Sequence, residues 1–263
     1  MSLIRFEVAD GVATLTLDYP QRKNALSTEM RVEIVAAIER IKADRDIGAV
    51  VITGAGGDFS AGGDISTMHE LTPSSVRQRL LDAHRWLEQL MNLDRPVIAA
   101  VDGAAFGAGF GLALTADFVL ASDRARFCMA FARIGLAPDF GVYYTLPRVV
   151  GLQRAKEIIY SAREIPAAEA QALGIALEVL PVDRLLPRAQ EIARGLAQGS
   201  QVAFGLTKRI LNRAFETSPA TLFELEADAQ GVAMSTDYFR EAIARFGRKE
   251  PPLLRWPAAP TED

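Results

Sequence analysis

Two short, unbroken apolar runs, AVVIT at 49–53 and PVIAAV at 96–101, constrain this chain more than anything else in it. Neither run has a polar face, so a strand made from it must be covered on both sides. That is the mark of a parallel sheet held between helical layers. Parallel neighbours need a crossover, and the residues between the runs supply one. It comprises a Gly-rich loop, GAGGDFSAGGD at 54–64, and a helical pattern over about 74–92.

The same logic extends in both directions. IRFEV and VATLTL are rich in β-formers and flank Asp10-Gly11, which predicts an opening hairpin. Ser27 stands before a segment whose Met30, Ile34, Ala37, Ile38 and Ile41 fall on one helical face, with a polar turn at Asp44-Arg45-Asp46. After Asp102-Gly103, the small-residue stretch AAFGAGFGLALTA predicts a short helix leading to a strand, FVLAS, at 118–122. From Gly151 onward the spacing turns helical, so the C-terminal third is expected to be mostly α, ending in an extended and partly mobile tail, KEPPLLRWPAAPTED. This gives a core over 1–200 and a helical region with its tail over 201–263.

Composition removes several classes of function. Apolar residues are 49% and charged residues 24%, too much core material for a disordered chain. A net charge of −4 without long basic runs gives nucleic acid nothing to bind. The uncharged stretch Gly103–Ala116 is shorter than the roughly 18–20 apolar residues of a membrane span. Arg5 and Glu7 interrupt the region where a secretory signal would need its apolar core, so a cytoplasmic location is expected. With Cys128 alone and only His69 and His84 as histidines, neither a disulfide within the chain nor a Cys/His zinc site is expected.

The two Gly-rich loops fail the phosphate-binding spacings: GAGGDF at 54–59 lacks a third glycine, GAGFGL at 107–112 has Leu112 in its place, and neither carries a P-loop lysine. GDFSAG around Ser60 has one residue too many for a nucleophile elbow. Each loop follows a buried strand, and such backbone suits a pair of N–H donors aimed at one carbonyl oxygen, with a helix start after Gly107 adding to the field. The same small residues equally suit tight helix packing.

Five ordered motifs, QRKNALS at 21–27, GDFSAGGDI at 57–65, RPVIAAVDGAAFGAGFGLALTADFVLAS at 95–122, FARIGLAPDFGVYYTLPRVVG at 131–151 and AAEAQALGIALEVLP at 167–181, closely resemble the crotonase superfamily, the enoyl-CoA hydratase/isomerase family, over roughly residues 4–250. The resemblance implies an α/β crotonase spiral of ββα turns with a C-terminal helical trimerisation region, a homotrimer or dimer of trimers, and an acyl-CoA thioester whose carbonyl lies between two backbone amides. Carried onto this sequence, those amides fall at Ala61 and Ala108. The coenzyme would lie against Arg22, Asn24, Ala25, Leu26, Ala61, Gly63, Asp64 and Ile65, with Lys249 reaching in from a neighbouring subunit. No cofactor beyond the CoA of the substrate is implied, nor any metal, membrane or nucleic acid partner.

Hydratases of this family place two glutamates around one water, and the matching positions here are Gly111 and Phe131. Loss of a positioned acid or base costs on the order of 10² to 10⁴ in rate, so efficient hydration is not expected. In GLAPDFG, several isomerases of the family, including the 1,2-epoxyphenylacetyl-CoA isomerase branch to which this chain is most similar, place an acid; here it is Asp139. Flanked by Leu136, Ala137, Pro138 and Phe140, it is expected to be desolvated and to shuttle a proton between C2 and C4. His84, with Phe131 and Asp139, also resembles the 4-chlorobenzoyl-CoA dehalogenase branch, although Phe131 stands where that branch has a tryptophan. A third reading is an acyl-CoA-binding scaffold without activity. Asp64 and Asp117 match aspartates that are structural in the family.

Overall fold

The computed structural model describes residues 2–64 and 72–258. The chain opens with β1 (Ile4–Ala9) and β2 (Val12–Leu17), paired antiparallel through Asp10-Gly11, both left-handed. Two such residues suit the right-handed twist of a tight hairpin. Helix α1 (Thr28–Ala43) follows, its Ser27 hydroxyl accepting from the N–H of Met30 and its Met30, Ile34, Ala37, Ile38 and Ile41 buried as the spacing predicts. Next come β3 (Ala49–Gly54), α2 (Pro73–Met91), β4 (Val97–Val101), β5 (Ala104–Phe106), α3 (Ala108–Ala113) and β6 (Phe118–Ser122).

The second half holds β7 (Arg126–Cys128), α4 (Val142–Val150), α5 (Leu152–Ser161), β8 (Glu164–Pro166), α6 (Ala167–Ala172), β9 (Glu178–Leu180), α7 (Val182–Ala197), α8 (Gln201–Leu211), α9 (Pro219–Met234) and α10 (Asp237–Gly247). The main sheet runs β1-β2-β3-β4-β6-β9, parallel from β2 onward, and β5-β7-β8 form a second, smaller sheet.

Alternation along the strands builds two cores. Val50 and Ile52 of β3 with Val97 and Ala99 of β4 face the side covered by α1 and α2, while Ala49 and Val51 with Ile98 and Ala100 face α7. Burial on both faces explains the continuous apolar runs. On the second face, Leu185, Ala189, Ile192 and Leu196 of α7 lie against the sheet, and Arg188, 5% exposed, is held by Glu178 at 2.9 Å.

From Gly151 onward the chain is mostly α, as expected, but β8 and β9 complete the two sheets within it, and helix already begins at Val142. Segments of three residues carry no readable period, and hydrogen bonds to β7 and β6 make them strands. The tail is extended but docked as far as it is described. Leu254 packs on the α7 face, and Trp256 meets Phe118 edge-on at 5.3 Å.

Helix α8 is tied to the sheet by Lys208, whose ammonium donates to the Arg95 carbonyl at 2.7 Å and pairs with Asp117 at 2.6 Å. Neither α9 nor α10 buries a residue. Among the described residues no helix is long and apolar enough to cross a membrane.

Candidate active site

The site begins with Asn24, fully buried and left-handed. Its Oδ1 accepts from the Tyr19 N–H at 2.8 Å, and its Nδ2 donates to the carbonyls of Ala55 and Asp58 at 2.8 and 2.7 Å. The Asn24 carbonyl in turn accepts from the Ser60 hydroxyl at 2.7 Å. Segment 23–26 is thereby laced to the Gly-rich loop after β3, and the Leu26 N–H donates to the Gly62 carbonyl at 2.7 Å.

That lacing decides which amides are free. The Ala61 N–H donates to the Lys23 carbonyl at 2.8 Å, so it cannot serve as a carbonyl-polarising donor. This corrects the expectation for Ala61. Two residues on, Leu26 and Gly63 form a parallel bridge, and the Gly63 N–H has no partner among the described residues. The Ala108 N–H likewise has none, being the first amide of α3. Gly62 brings the two loops together. It sits at φ +100°, and a Cβ there would lie 2.6 Å from the Phe106 carbonyl oxygen and 3.3 Å from the Ala108 nitrogen.

Gly63 and Ala108 open on a cavity of about 430 Å³ that Ala61 and Asp139 also line. Its walls are largely apolar, from Val76, Leu80, Phe131, Ile134 and Leu136. Asp139 lies between a 3-10 turn at Ala130–Ile134 and α4, with its Oδ1 buried and without a hydrogen-bond partner. Burial pushes its carboxyl above the ordinary value of 3.8, against the opposing charges of Arg31, His84 and Arg79. Asp139 and Ala108 thus line the same cavity.

Arg31 and Arg79, not singled out from the sequence, also line the cavity. Arg31 donates from Nε to the Leu26 carbonyl at 3.1 Å, and its guanidinium lies 5.0 Å from the Phe140 ring centre. Its Nη1 is buried without a partner, and burial, reinforced by Arg79, lowers its pKa to about 10. The available signal was position: Arg31 adjoins Met30 at the border of the apolar face of α1.

Gly111 explains the missing acid. A Cβ at that position would lie 2.7 Å from the Phe140 Cβ and 3.0 Å from the Phe140 carbonyl oxygen, so the space is closed to any side chain. Phe140 itself is left-handed, fully buried and edge-on to Trp86 at 5.7 Å.

The other expected residues are dispersed. His84 is exposed on α2 and is not part of the cavity lining, although its charge acts on Asp139. Arg22 is exposed in the 3-10 turn Pro20–Arg22, Ala25 is buried, and the Leu26 side chain lies in the core. The Asn24 side chain is fully engaged within the protein, so it shapes the loop and does not reach a ligand. Asp64 is half-buried where the loop ends, and Ile65 lies outside the described residues. Lys249 is exposed and left-handed just beyond α10, not in the lining. Asp117 has the structural role expected of it, accepting from the Val97 N–H at 2.7 Å.

A mostly parallel sheet, a second small sheet and two glycine-rich loops meeting over an apolar cavity define an α/β protein of the crotonase fold. The chain matches the sequence model described as enoyl-CoA hydratase/isomerase over residues 7–255, and it belongs to that family. It is 34% identical over 256 residues to the 1,2-epoxyphenylacetyl-CoA isomerase of Escherichia coli (strain K12), covering 96% of this chain and 98% of that one. It is 35% identical over 254 residues to 4-chlorobenzoyl coenzyme A dehalogenase-2 of Arthrobacter sp, covering 94% and 91%. Among solved structures, the enoyl-CoA hydratase/isomerase from Cupriavidus metallidurans CH34 superposes with a TM-score of 0.93 at 43% identity, covering 99% of each chain.

Proposed function

We propose that this chain is an enoyl-CoA isomerase that moves a double bond along an acyl thioester. The N–H groups of Gly63 and Ala108 grip the thioester oxygen, and Asp139 takes the proton from C2. The C–H electron pair moves into the C1–C2 bond while the oxygen takes up negative charge, which fixed main-chain dipoles stabilise without reorganising. As the carbonyl reforms, C4 receives the proton from Asp139 and the double bond comes to rest between C2 and C3. The relocation balances without a redox or metal group.

One observation carries this reading: Asp139 lines the cavity with one carboxylate oxygen buried and unpartnered, while the two other acid positions are a sterically closed Gly111 and an apolar Phe131. A single proton shuttle suits isomerisation, whereas hydration uses two groups around one water. The test is Asp139→Asn with a 3-enoyl-CoA. Loss of turnover by roughly 10² to 10⁴ with thioester binding retained supports the assignment. Retained turnover removes Asp139 from the mechanism, and saturable binding with no solvent exchange at C2 in the unmodified protein leaves only a coenzyme-binding scaffold.

The coenzyme then lies along Ala25, Ala61, Gly63 and Asp64, with Arg22 and Lys249 as cations for its phosphates. Exposed Phe223, Val232, Ile243 and Phe246 on α9 and α10 support assembly as a trimer or a dimer of trimers through that region. Sedimentation as a monomer at micromolar concentration would refute it.

A second reading is hydrolytic dehalogenation of a 4-halobenzoyl-CoA. The charge of His84 acting on Asp139 favours it. Asp139 would displace halide from the ring, and water activated by His84 would cleave the resulting ester. His84-dependent halide release supports it, and absence of halide closes it.

A further inference from the structure

We infer that the acyl group taken by this cavity carries a carboxylate at its far end, held between the guanidinium groups of Arg31 and Arg79. This rests on the reading of the cavity as an acyl-CoA site and goes on to name the substrate class. Among the described residues three charged side chains line the cavity, the two cations Arg31 and Arg79 and the acid Asp139. Both cations feel acids nearby, Arg31 that of Asp139 and Arg79 those of Asp139 and Glu29, but neither forms an ion pair among the described residues. Arg31 uses Nε on the Leu26 carbonyl, leaves Nη1 buried and unmatched, and makes no direct ion pair with Asp139. Arg79 is half-buried and makes no hydrogen bond or ion pair among the described residues.

Arg31 and Arg79 also line the adjoining groove between α1 and α2, beside Val35 and Trp86, so both residues stand at the boundary between the cavity and that groove. Two cations beside a largely apolar cavity repel each other, and burial strips Arg31 of part of its solvation. An anion that accepts from both relieves both costs. Arg79 contributes to the lowered pKa of Arg31, as expected of like charges close together. Asp139 opposes an incoming anion, but two cations outweigh it.

Equilibrium binding of saturated thioesters tests this without turnover, using length-matched pairs: butyryl- and succinyl-CoA, valeryl- and glutaryl-CoA, hexanoyl- and adipoyl-CoA. At the length that spans the cavity, the dicarboxylic ester is expected to bind on the order of tenfold more tightly than its partner. Arg79→Met, which removes no hydrogen bond among the described residues, should abolish that preference by weakening the dicarboxylic ester about tenfold more than the monocarboxylic one. Arg31→Lys should retain part of it.

Equal or weaker binding of the dicarboxylic ester at every length overturns the inference and leaves the coenzyme site intact. Equal loss of both esters in Arg79→Met also overturns it, placing Arg79 on the coenzyme phosphates. If no CoA ester binds, the acyl-CoA reading fails and the inference falls with it.

Discussion

Arg31 and Asp139 line one cavity without joining, and each has a buried polar atom without a hydrogen-bond partner. Opposite charges that could pair but stand apart keep the carboxylate uncommitted, and desolvation then sets its behaviour. The arrangement sacrifices stability at a place where a proton is to be moved.

The cost has a definite pH dependence. Because the native carboxyl of Asp139 is raised above 3.8, the folded state holds a proton that the unfolded chain has released, and stability falls as pH rises from about 4 through the native value. Asp139→Asn is therefore expected to raise the melting temperature at pH 7, with the gain shrinking as pH approaches 4. Thermal melts of both proteins across that range check it. A constant difference would count against burial as the cause. In the same window kcat/KM for isomerisation should climb with pH and level off once the base is ionised.

Ala108→Pro isolates one donor. The residue opens α3, a position where proline is compatible with a helix, and the substitution replaces the amide hydrogen by a ring methylene. A fall in kcat of roughly 10² to 10³ is expected from loss of one such donor. Free CoA, which has no thioester carbonyl, should bind as before. Calorimetry with CoA alongside steady-state assays separates the two effects.

Gly111→Glu should gain no hydration of a 2-enoyl-CoA and should fold poorly. Even Gly111→Ala sets a methyl group against Phe140, for a loss of about 1–3 kcal/mol. Chemical denaturation of the alanine variant measures it, and an unchanged midpoint would show that the site yields.

His84→Gln should alter isomerisation by less than about threefold, since an exposed charge acts weakly through solvent. Its removal takes away a charge that lowers the Asp139 pKa, so the rising limb of the pH profile should move slightly upward. A collapse in rate would place His84 in the chemistry.

Much of the scaffold was legible because it is periodic. The Asp10-Gly11 hairpin, the five buried residues of α1 and the doubly covered β3 and β4 all follow from spacing. Elements of three residues, β5 and β7 to β9, were not, since tertiary hydrogen bonds alone make them strands. In the site, Asp139 was readable from its apolar flanks. The choice between Ala61 and Gly63 was not, because it depends on which amide faces Lys23 and which faces the cavity, and the Leu26–Gly63 bridge sets that parity. Arg31 and Arg79 escaped notice because a helix surface rich in arginine reads as ordinary solvated polarity until the cavity is in view.

Gly111 and Phe140 hold each other hostage. A larger residue at 111 collides with the aromatic ring's own backbone and Cβ, while trimming the ring first would strip Trp86 and Arg31 of the surface they rest on. A second acid at 111 is therefore out of reach by any single codon change that leaves a sound protein, and a lineage carrying this pair is steered toward refining one-carboxylate chemistry.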